Sequence, residues 1–247
     1  MVIYLLMFGV GVVAGFMNTL AGGGSLLVLP ILILAGLPSP VANATNRVAI
    51  LLQNVTAVQR FHQAGKLEVK PILHITVSAV VGAILGSLFA VNINSALFDK
   101  ILGFVFILIL ILVLRPKSKK PMKTLPRWLE CVVFFGVGLY GGFIQAGVGF
   151  IFLAALNLIE HYNLVQANAV KTFIVMSYTI FAVIVFATAG KILWIHGLVL
   201  ACGNSLGAWL GVRSAVKNGE SFVKMVLLIA VSIACLKFFG LFALIGL

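Results

Sequence analysis

Charged residues are scarce in this chain, and acidic ones are the scarcest. Asp, Glu, Lys and Arg make up 9% of the 247 residues, and only five residues are acidic. Hydrophobic residues make up 62%, which excludes a water-soluble domain because too few polar side chains remain to cover its surface. Apolar runs long enough to cross a bilayer recur from end to end, which predicts an all-α polytopic membrane protein.

The residue sets of common enzyme chemistries are missing as well. The sequence has no HExxH pair, no paired catalytic carboxylates and no Ser/His/Asp set suited to hydrolysis inside a membrane. It has no Walker-type phosphate loop, so we do not expect this chain to use ATP. We therefore predict that the protein is not an enzyme and uses no cofactor or metal.

The cysteines and the basic residues further limit the class of protein. The three cysteines are an odd number, all lie in apolar segments, and are expected to be buried thiols. The net charge of +12 could suggest a nucleic-acid partner, but most basic residues gather in a few loops, where they report membrane topology. We expect no nucleic-acid binding.

Two glycine-rich stretches interrupt apolar segments. The first is residues 18–25 (Asn-Thr-Leu-Ala-Gly-Gly-Gly-Ser), and the second is residues 145–150 (Gln-Ala-Gly-Val-Gly-Phe). Glycine disfavours a helix interior by roughly 1 kcal/mol relative to alanine, so each stretch predicts a helix break. Within lipid, broken backbone is tolerated only where it is buried in protein or lines a cavity. Two such breaks are typical of a transport site.

The two halves of the sequence match each other. An offset of 125 residues aligns three segments of the first half with the second: Phe61–Lys66 with Phe186–Lys191, 42–44 with 167–169, and Gly82–Gly86 with Gly207–Gly211. Near the start the offset is 127, and it aligns Gly9, Gly11, Gly15 and Phe16 with Gly136, Gly138, Gly142 and Phe143. Several matches in one register indicate a duplication. We predict a first transmembrane repeat at 1–115, a basic linker at 116–127 and a second repeat at 128–247, together forming one membrane domain.

Each repeat has the same predicted parts: a glycine-broken helix and half-helix, then three transmembrane helices. We expect the helices at about 2–18, 25–36, 40–64, 70–91 and 96–114, and at about 128–146, 150–161, 165–189, 194–214 and 221–243. Ser25–Gly36 would reach roughly 18 Å against a hydrocarbon core of about 30 Å, which predicts a half-helix. Whether the preceding helix spans or re-enters stays open. Ser39 is predicted to be an N-cap, followed by proline at the first helical position.

Loop charges predict how the repeats are oriented. Basic residues fill the 115–127 linker, which places it in the cytoplasm. Counting spans outward from the linker makes the 60–70 and 213–224 loops cytoplasmic and both termini external. The two repeats then have opposite orientations, the inverted topology of many secondary transporters.

The third helix of each repeat carries a polar stripe. At 100° per residue, the polar side chains fall within about 80° of Asn43; they are Asn46, Arg47, Gln53 and Asn54. The offset of 125 takes these five positions onto Asn168, Lys171, Thr172, Tyr178 and Thr179, which are all polar again. A single intramembrane amide often only bonds helix to helix, but ten matched positions favour a shared polar cavity.

Arg47 and Lys171 are cations inside predicted membrane segments, where a cation usually has a partner. All five carboxylates lie in loops or near segment ends, so the counter-charge could be a substrate anion. The half-helices that start at Ser25 and near Gly149 would add their positive dipole ends. The alternative is that both cations snorkel to an interface or bind lipid headgroups.

We predict a binding site for a small inorganic or organic anion between the two glycine breaks. Its residues are Asn18, Gly23, Gly24, Ser25, Asn43, Asn46, Arg47, Gln145, Gly149, Asn168, Lys171 and Thr172. Membrane lipid is the other expected partner. The oligomeric state stays open, with a homodimer as one arrangement.

The first glycine stretch and its surroundings resemble a known family. Residues 15–30 (Gly-Phe-Met-Asn-Thr-Leu-Ala-Gly-Gly-Gly-Ser-Leu-Leu-Val-Leu-Pro), residues 36–46 (Gly-Leu-Pro-Ser-Pro-Val-Ala-Asn-Ala-Thr-Asn) and Gly65 resemble the signature of the sulfite exporter TauE/SafE family. The resemblance implies a permease in the inner membrane of bacteria that exports sulfite, sulfoacetate or a similar organosulfonate. Many family members have other residues in place of Asn46-Arg47 and no lysine at the position of Lys171.

Other functions stay open on the sequence alone. A passive anion channel shares every feature above, and so does a permease for another small anion such as a carboxylate. A lipid-handling membrane protein would use Arg47 and Lys171 to hold headgroups instead. The direction of transport and the coupling ion depend on gradients and coupling that these residues do not specify.

Overall fold

The computed structural model describes residues 2–102, 104 and 125–238, which form helices and short links. The helices are α1 (Val2–Leu20), α2 (Ser25–Leu34), α3 (Ser39–Gln63), α4 (Leu73–Asn92, after a 3-10 turn at Lys70–Ile72), α5 (Arg127–Phe143), α6 (Val148–Leu158), α7 (Leu164–Thr188) and α8 (Trp194–Phe238). Residues 95–102 are helical as well. The prediction of an all-α polytopic membrane protein is confirmed.

The predicted helices match these bounds within a few residues, with one correction. Ser39 is not an N-cap: Pro38 holds that position with extended backbone, and Ser39 already lies in the first turn. The helices predicted at 194–214 and 221–243 are both present within Trp194–Phe238 and meet at a kink at Gly219, where φ is 71° and ψ is −164°. Most of the helix predicted at 96–114 and of the linker predicted at 116–127 lies outside the described residues.

Four of the described helices are long and apolar enough to cross a membrane. They are Ile3–Leu20, Lys70–Asn92, Leu164–Thr188 and Trp194–Val226, and the shorter apolar helices α2 and α6 lie between them in the chain. The 25-residue α3 is not in this set because its polar stripe lowers its hydropathy. That stripe is buried, so α3 needs no apolar surface there.

Small residues let two helix pairs approach closely, α1 with α8 and α4 with α5. A Cβ at Gly207 would lie 2.0 Å from the carbonyl oxygen of Val12, and one at Gly86 would lie 2.0 Å from that of Leu139. Backbones this close require glycine, which is the small-residue packing common between membrane helices. In each pair, the first helix of one predicted repeat packs against the fourth helix of the other.

The two helix pairs make matching contacts in a register that differs from the sequence alignment. Gly142 packs on the backbone of Ala83 in the way that Gly15 packs on the backbone of Asn204. The corresponding offset in the last long helix is therefore 121 residues (Ala83 to Asn204), not the 125 that aligns the glycines in sequence. The reason is the shorter link at 189–193, which has four residues fewer than the 64–72 link between α3 and α4.

The links of the chain gather at two ends of the bundle. At one end His74 Nε2 lies 2.9 Å from Glu130 Oε2, and Leu164 N–H donates to Glu220 at 3.4 Å. At the other end the N–H of Leu193 donates to Thr45 Oγ1 at 3.1 Å. The first end collects the links predicted to be cytoplasmic. The opposite orientation of the two halves, and which end faces the cytoplasm, stay predictions.

Candidate functional site

The two glycine breaks touch each other in the interior of the protein. The first lies between Leu20 and Ser25, with φ of 86° at Gly22, and the second lies between Phe143 and Val148, with φ of 73° at Gly147. A Cβ at Gly22 would lie 2.4 Å from backbone atoms of Gly149, and one at Gly149 would lie 2.3 Å from Gly22 Cα. Only two glycines can meet in this way, because any side chain would overlap the opposite backbone.

The polar stripes of α3 and α7 are buried along their whole length. All ten side chains are at most 3% exposed: Asn43, Asn46, Arg47, Gln53, Asn54, Asn168, Lys171, Thr172, Tyr178 and Thr179. These side chains are therefore inside the protein and do not face lipid, while the shared polar cavity stays a prediction. Five of them bond to residues at the ends of α1 and α5: Asn43, Arg47, Gln53, Asn168 and Lys171.

Arg47 binds the carboxyl-terminal end of α5. Its Nη1 donates to the carbonyl of Gly141 at 2.9 Å and its Nη2 donates to the carbonyl of Gly142 at 2.6 Å. Nη1 also donates to Gln145 Oε1 at 3.2 Å, and the guanidinium lies 4.9 Å from the centre of the Phe186 ring. The Nε group is buried and has no protein acceptor. Three of the five guanidinium N–H groups thus have acceptors, and the one on Nε is free beside the second break.

Lys171 binds the carboxyl-terminal end of α1, as Arg47 binds that of α5. Its Nζ donates to the carbonyls of Asn18 at 2.8 Å and Thr19 at 3.1 Å. It also donates to Asn168 Oδ1 at 2.5 Å. Carbonyls at a helix C-terminus carry the negative end of the helix dipole, so each cation faces negative potential from the other half of the chain. Neither cation snorkels outward, because both ammonium and guanidinium bond within the protein.

Most of the other predicted site residues lie in the same two networks. Asn43 donates to the Phe143 carbonyl at 3.0 Å, and Asn168 donates to the Leu20 carbonyl at 2.9 Å. Asn46 donates to Ser25 Oγ at 3.1 Å, which ties α3 to the start of α2. These amides fix the ends of the broken helices at the junction.

One amide side chain at each break also bonds to a stripe, and the two bonds match each other. Asn18 Nδ2 donates to Gln53 Oε1 at 3.2 Å. In the other half, Gln145 Nε2 and the Tyr178 hydroxyl are 3.1 Å apart. Asn18, near the end of α1, and Gln145, inside the second break, thus bond to the same position of the two stripes.

Three predicted site residues, Thr172, Gly23 and Gly24, make no hydrogen bond to either cation. Thr172 donates to the Ala169 carbonyl of its own helix at 2.9 Å. A Cβ at Gly23 would lie 2.6 Å from the Phe150 ring, and one at Gly24 would lie 2.2 Å from the Ala14 carbonyl oxygen. The two glycines permit close packing, and neither bonds to a cation.

Sequence reasoning missed Asn204. This residue is 1% exposed on α8, and its Nδ2 donates to Gln53 Oε1 at 3.1 Å. The signal was an asparagine beside Gly203 in an apolar span. The offset of 125 places an alanine, Ala79, at the matching position of the first half, so Asn204 has no polar counterpart in the repeat alignment.

The site has no built-in metal chemistry within the described ranges. No group of three or more His, Cys, Asp or Glu side chains is placed to hold a metal ion in residues 2–102 and 125–238. Cations and amides dominate instead, and such groups bind oxyanions through charge-assisted hydrogen bonds.

The chain is similar to several curated membrane proteins. It is 29% identical to a probable membrane transporter protein of Haemophilus influenzae over 230 residues, which cover 91% of this chain and 89% of the relative. It is 28% identical to the probable membrane transporter protein ORF9 of Sinorhizobium sp over 232 residues (92% and 88%). It is 27% identical to the probable membrane transporter protein YfcA of Escherichia coli K12 over 237 residues (94% and 87%). No solved structure gives a significant match.

The family model of the sulfite exporter TauE/SafE matches residues 7–238, nearly the whole chain. That span includes both glycine breaks, both polar stripes and the two cations, and the relatives are named as transporters over the same length. The chain is therefore a membrane transporter protein and belongs to the TauE/SafE sulfite exporter family.

Proposed function

We propose that the protein is a secondary transporter that exports a small sulfur-containing anion, such as sulfite, sulfoacetate or a similar organosulfonate, by alternating access. The observation that carries the proposal is the burial of Arg47 and Lys171 at the junction of the breaks, at 0% and 3% exposure. Neither is bonded to a carboxylate among the described residues. The substrate class is taken from the family to which the chain belongs.

The anion binds at the junction of the two breaks in this proposal. The residues that take part are Asn18, Gly23, Gly24, Ser25, Asn43, Asn46, Arg47, Gln145, Gly149, Asn168, Lys171 and Thr172. The free Nε of Arg47 supports the assignment, since a buried unpaired donor costs about 1–3 kcal/mol and an oxyanion satisfies it. The amino-terminal ends of α2 and α6 start at the breaks and add positive potential.

A carrier is favoured over a passive channel by the contact of Gly22 with Gly149. These glycines leave no gap between the breaks, so the polar centre is closed at that point. An anion enters only when the halves move apart there, as rocking of one half against the other requires. The cations would then exchange helix carbonyls for substrate oxygens.

The first experiment measures anion binding to the purified protein by thermal unfolding. A ligand that binds only the folded state stabilises it by about 2.7 kcal/mol at a hundredfold excess over Kd. We expect sulfite or a sulfonate to raise the melting temperature, and the Arg47→Ala variant to lose the shift. The matched control is Arg213→Ala, because Arg213 is exposed and stacks on Trp209 at 5.5 Å. A wild-type shift with phospholipid but with no anion would overturn the proposal.

The proposed location is the bacterial inner membrane, with the 115–127 linker in the cytoplasm and both termini outside. Single cysteines at Lys66 and Lys191, in a background with the three native cysteines replaced by serine, test this orientation. We expect an impermeant maleimide added to whole cells to label the cysteine at 191 and not the one at 66. The reverse pattern would invert the proposed topology.

A further inference from the structure

Three amide side chains from three helices meet beside the first glycine break. Gln53 on α3 lies in the middle, and its Oε1 accepts hydrogen bonds from Asn18 Nδ2 on α1 at 3.2 Å and from Asn204 Nδ2 on α8 at 3.1 Å. Gln53 and Asn204 are at most 1% exposed. We call Asn18, Gln53 and Asn204 the amide triad.

The amide triad has unused hydrogen-bonding groups. Gln53 Nε2 and Asn204 Oδ1 are both buried, and neither has a partner. The hydroxyl of Thr19, one residue beyond Asn18, is buried without a partner as well. Buried polar groups in native proteins are nearly always paired, so unpaired ones at a functional centre indicate a ligand that completes them. A donor and an acceptor are free together, so a ligand that accepts one hydrogen bond and donates another would pair both.

Packing does not explain why position 204 is an asparagine. Ala83 holds the same place in the α4–α5 pair: a Cβ at Gly142 would lie 2.1 Å from the Ala83 carbonyl oxygen, and one at Gly15 would lie 2.2 Å from that of Asn204. An alanine therefore suffices for this helix contact. The α1–α8 pair therefore has an amide side chain, that of Asn204, at a position where the α4–α5 pair has only the methyl group of Ala83.

We propose that Asn204, with Gln53, forms a subsite that recognises a hydrogen-bond donor on the transported anion, an O–H or N–H group near its oxyanion. The inference rests on the proposed function, since it assigns one part of the substrate to one part of that site. Arg47 and Lys171 then hold the charged group, and the amide triad selects the neutral remainder of the molecule. Among the anions of the proposed function, this subsite favours those that carry their own donor, such as a hydroxylated organosulfonate.

Two sulfonates of similar size separate this idea from simple charge recognition. Ethanesulfonate and 2-hydroxyethanesulfonate have the same charged group, and only the second has an O–H donor. A site built to bond a hydroxyl discriminates strongly against the analogue that lacks it. We expect the wild-type protein to bind 2-hydroxyethanesulfonate at least about tenfold more tightly, measured as Kd from the ligand dependence of the melting temperature.

The Asn204→Ala variant should lose this preference, with a ratio of the two Kd values of about two or less, because the free acceptor is gone. It should still bind ethanesulfonate. The control is Asn92→Ala, an exposed asparagine at the end of α4 that bonds only to Leu88 of its own helix. It should keep the wild-type ratio.

The outcomes distinguish the inference from the function on which it rests. Equal Kd values in the wild type, or an unchanged ratio in Asn204→Ala, overturn the subsite and leave the anion transporter standing. Loss of affinity for both sulfonates in equal measure assigns Asn204 a structural role and also overturns the subsite. If the wild type binds neither sulfonate and no other anion, the proposed function fails as well. Should Asn204→Ala not yield monodisperse protein, Asn204→Leu removes the acceptor with a side chain of similar size and shape, and the same loss of preference is expected.

Discussion

The ammonium of Lys171 on α7 donates to the backbone carbonyl of Asn18, 153 residues earlier in the chain, at 2.8 Å. The guanidinium of Arg47 makes the reciprocal contact with the carbonyls of Gly141 and Gly142. Each half of the chain therefore supplies the cation that caps the broken helix of the other half. The contacts join the halves where the proposed transport cycle must separate them. In the proposed function, the two cations therefore contribute both to substrate binding and to the closed conformation.

Removing the Lys171 cap should destabilise the protein. In Lys171→Met, the carbonyls of Asn18 and Thr19 lose their donor, which costs about 1–3 kcal/mol. For a chain of this size we expect a melting temperature lower by about 2–10 °C. Lys217→Met is the control, because Lys217 is exposed. An unchanged melt for Lys171→Met would show that the bonds to α1 contribute nothing to the closed state.

Arg47→Lys keeps the positive charge but not the geometry. A guanidinium binds two neighbouring carbonyls at once, whereas an ammonium is a point charge on a flexible stem. We expect a loss of about 1–3 kcal/mol in the free energy of unfolding and weaker anion binding, both read from melts with and without sulfite. Arg60→Lys controls for the substitution, since Arg60 is exposed and contacts the Trp209 ring at 6.0 Å. Full retention of both properties would mean that charge alone suffices at position 47.

The contact of the two breaks predicts a steric effect at Gly149. A methyl group there would lie 2.3 Å from Gly22 Cα, so Gly149→Ala should hold the breaks apart at a cost of about 1–3 kcal/mol or more. Transport in proteoliposomes should fall sharply while the protein still inserts. Gly9→Ala is the matched control: nothing lies within 4 Å of its added Cβ, and alanine should stabilise the helix by about 0.5–1 kcal/mol. Wild-type transport by Gly149→Ala would exclude a role for this contact.

The cluster around Glu160 predicts a pH dependence of stability. Burial, and next the charge of Glu130, raises the pKa of Glu160 above its ordinary 4.5, while His74 and His161 act in the opposite direction. The folded state then holds this proton more tightly than the unfolded chain, so the free energy of unfolding falls as pH rises from 4.5 through the raised pKa.

The Glu160→Gln variant tests that linkage. It removes the titration, so it should unfold at a higher temperature than the wild type at pH 8, and the difference should shrink towards pH 4.5. Asp99→Asn, at an exposed carboxylate, should show no such pH-dependent difference. A difference that stays constant with pH would contradict the assignment to Glu160.

Sequence patterns predicted the parts of this protein that depend on near neighbours. Helix periodicity placed α3 and α7 within a residue or two of their observed bounds, and the glycine runs marked both breaks. The polar stripe followed from an angle of 100° per residue, which is a property of any helix. Loop chemistry was weaker: Ser39 was misjudged because Pro38 fits the extended N-cap conformation.

The features that need distant parts of the chain came only from the tertiary structure. Composition and periodicity by themselves determined a helical membrane protein with two broken helices and two buried cations, because burial of polar groups in lipid leaves few other solutions. They could not determine that each cation caps a helix of the opposite half, that Gly22 meets Gly149, or that Asn204 joins Gln53. Those contacts depend on how the helices pack. The link at 189–193 is four residues shorter than the link at 64–72, which shifts α8 by about one helical turn relative to the position of α4 in the other half. No local sequence pattern encodes that shift.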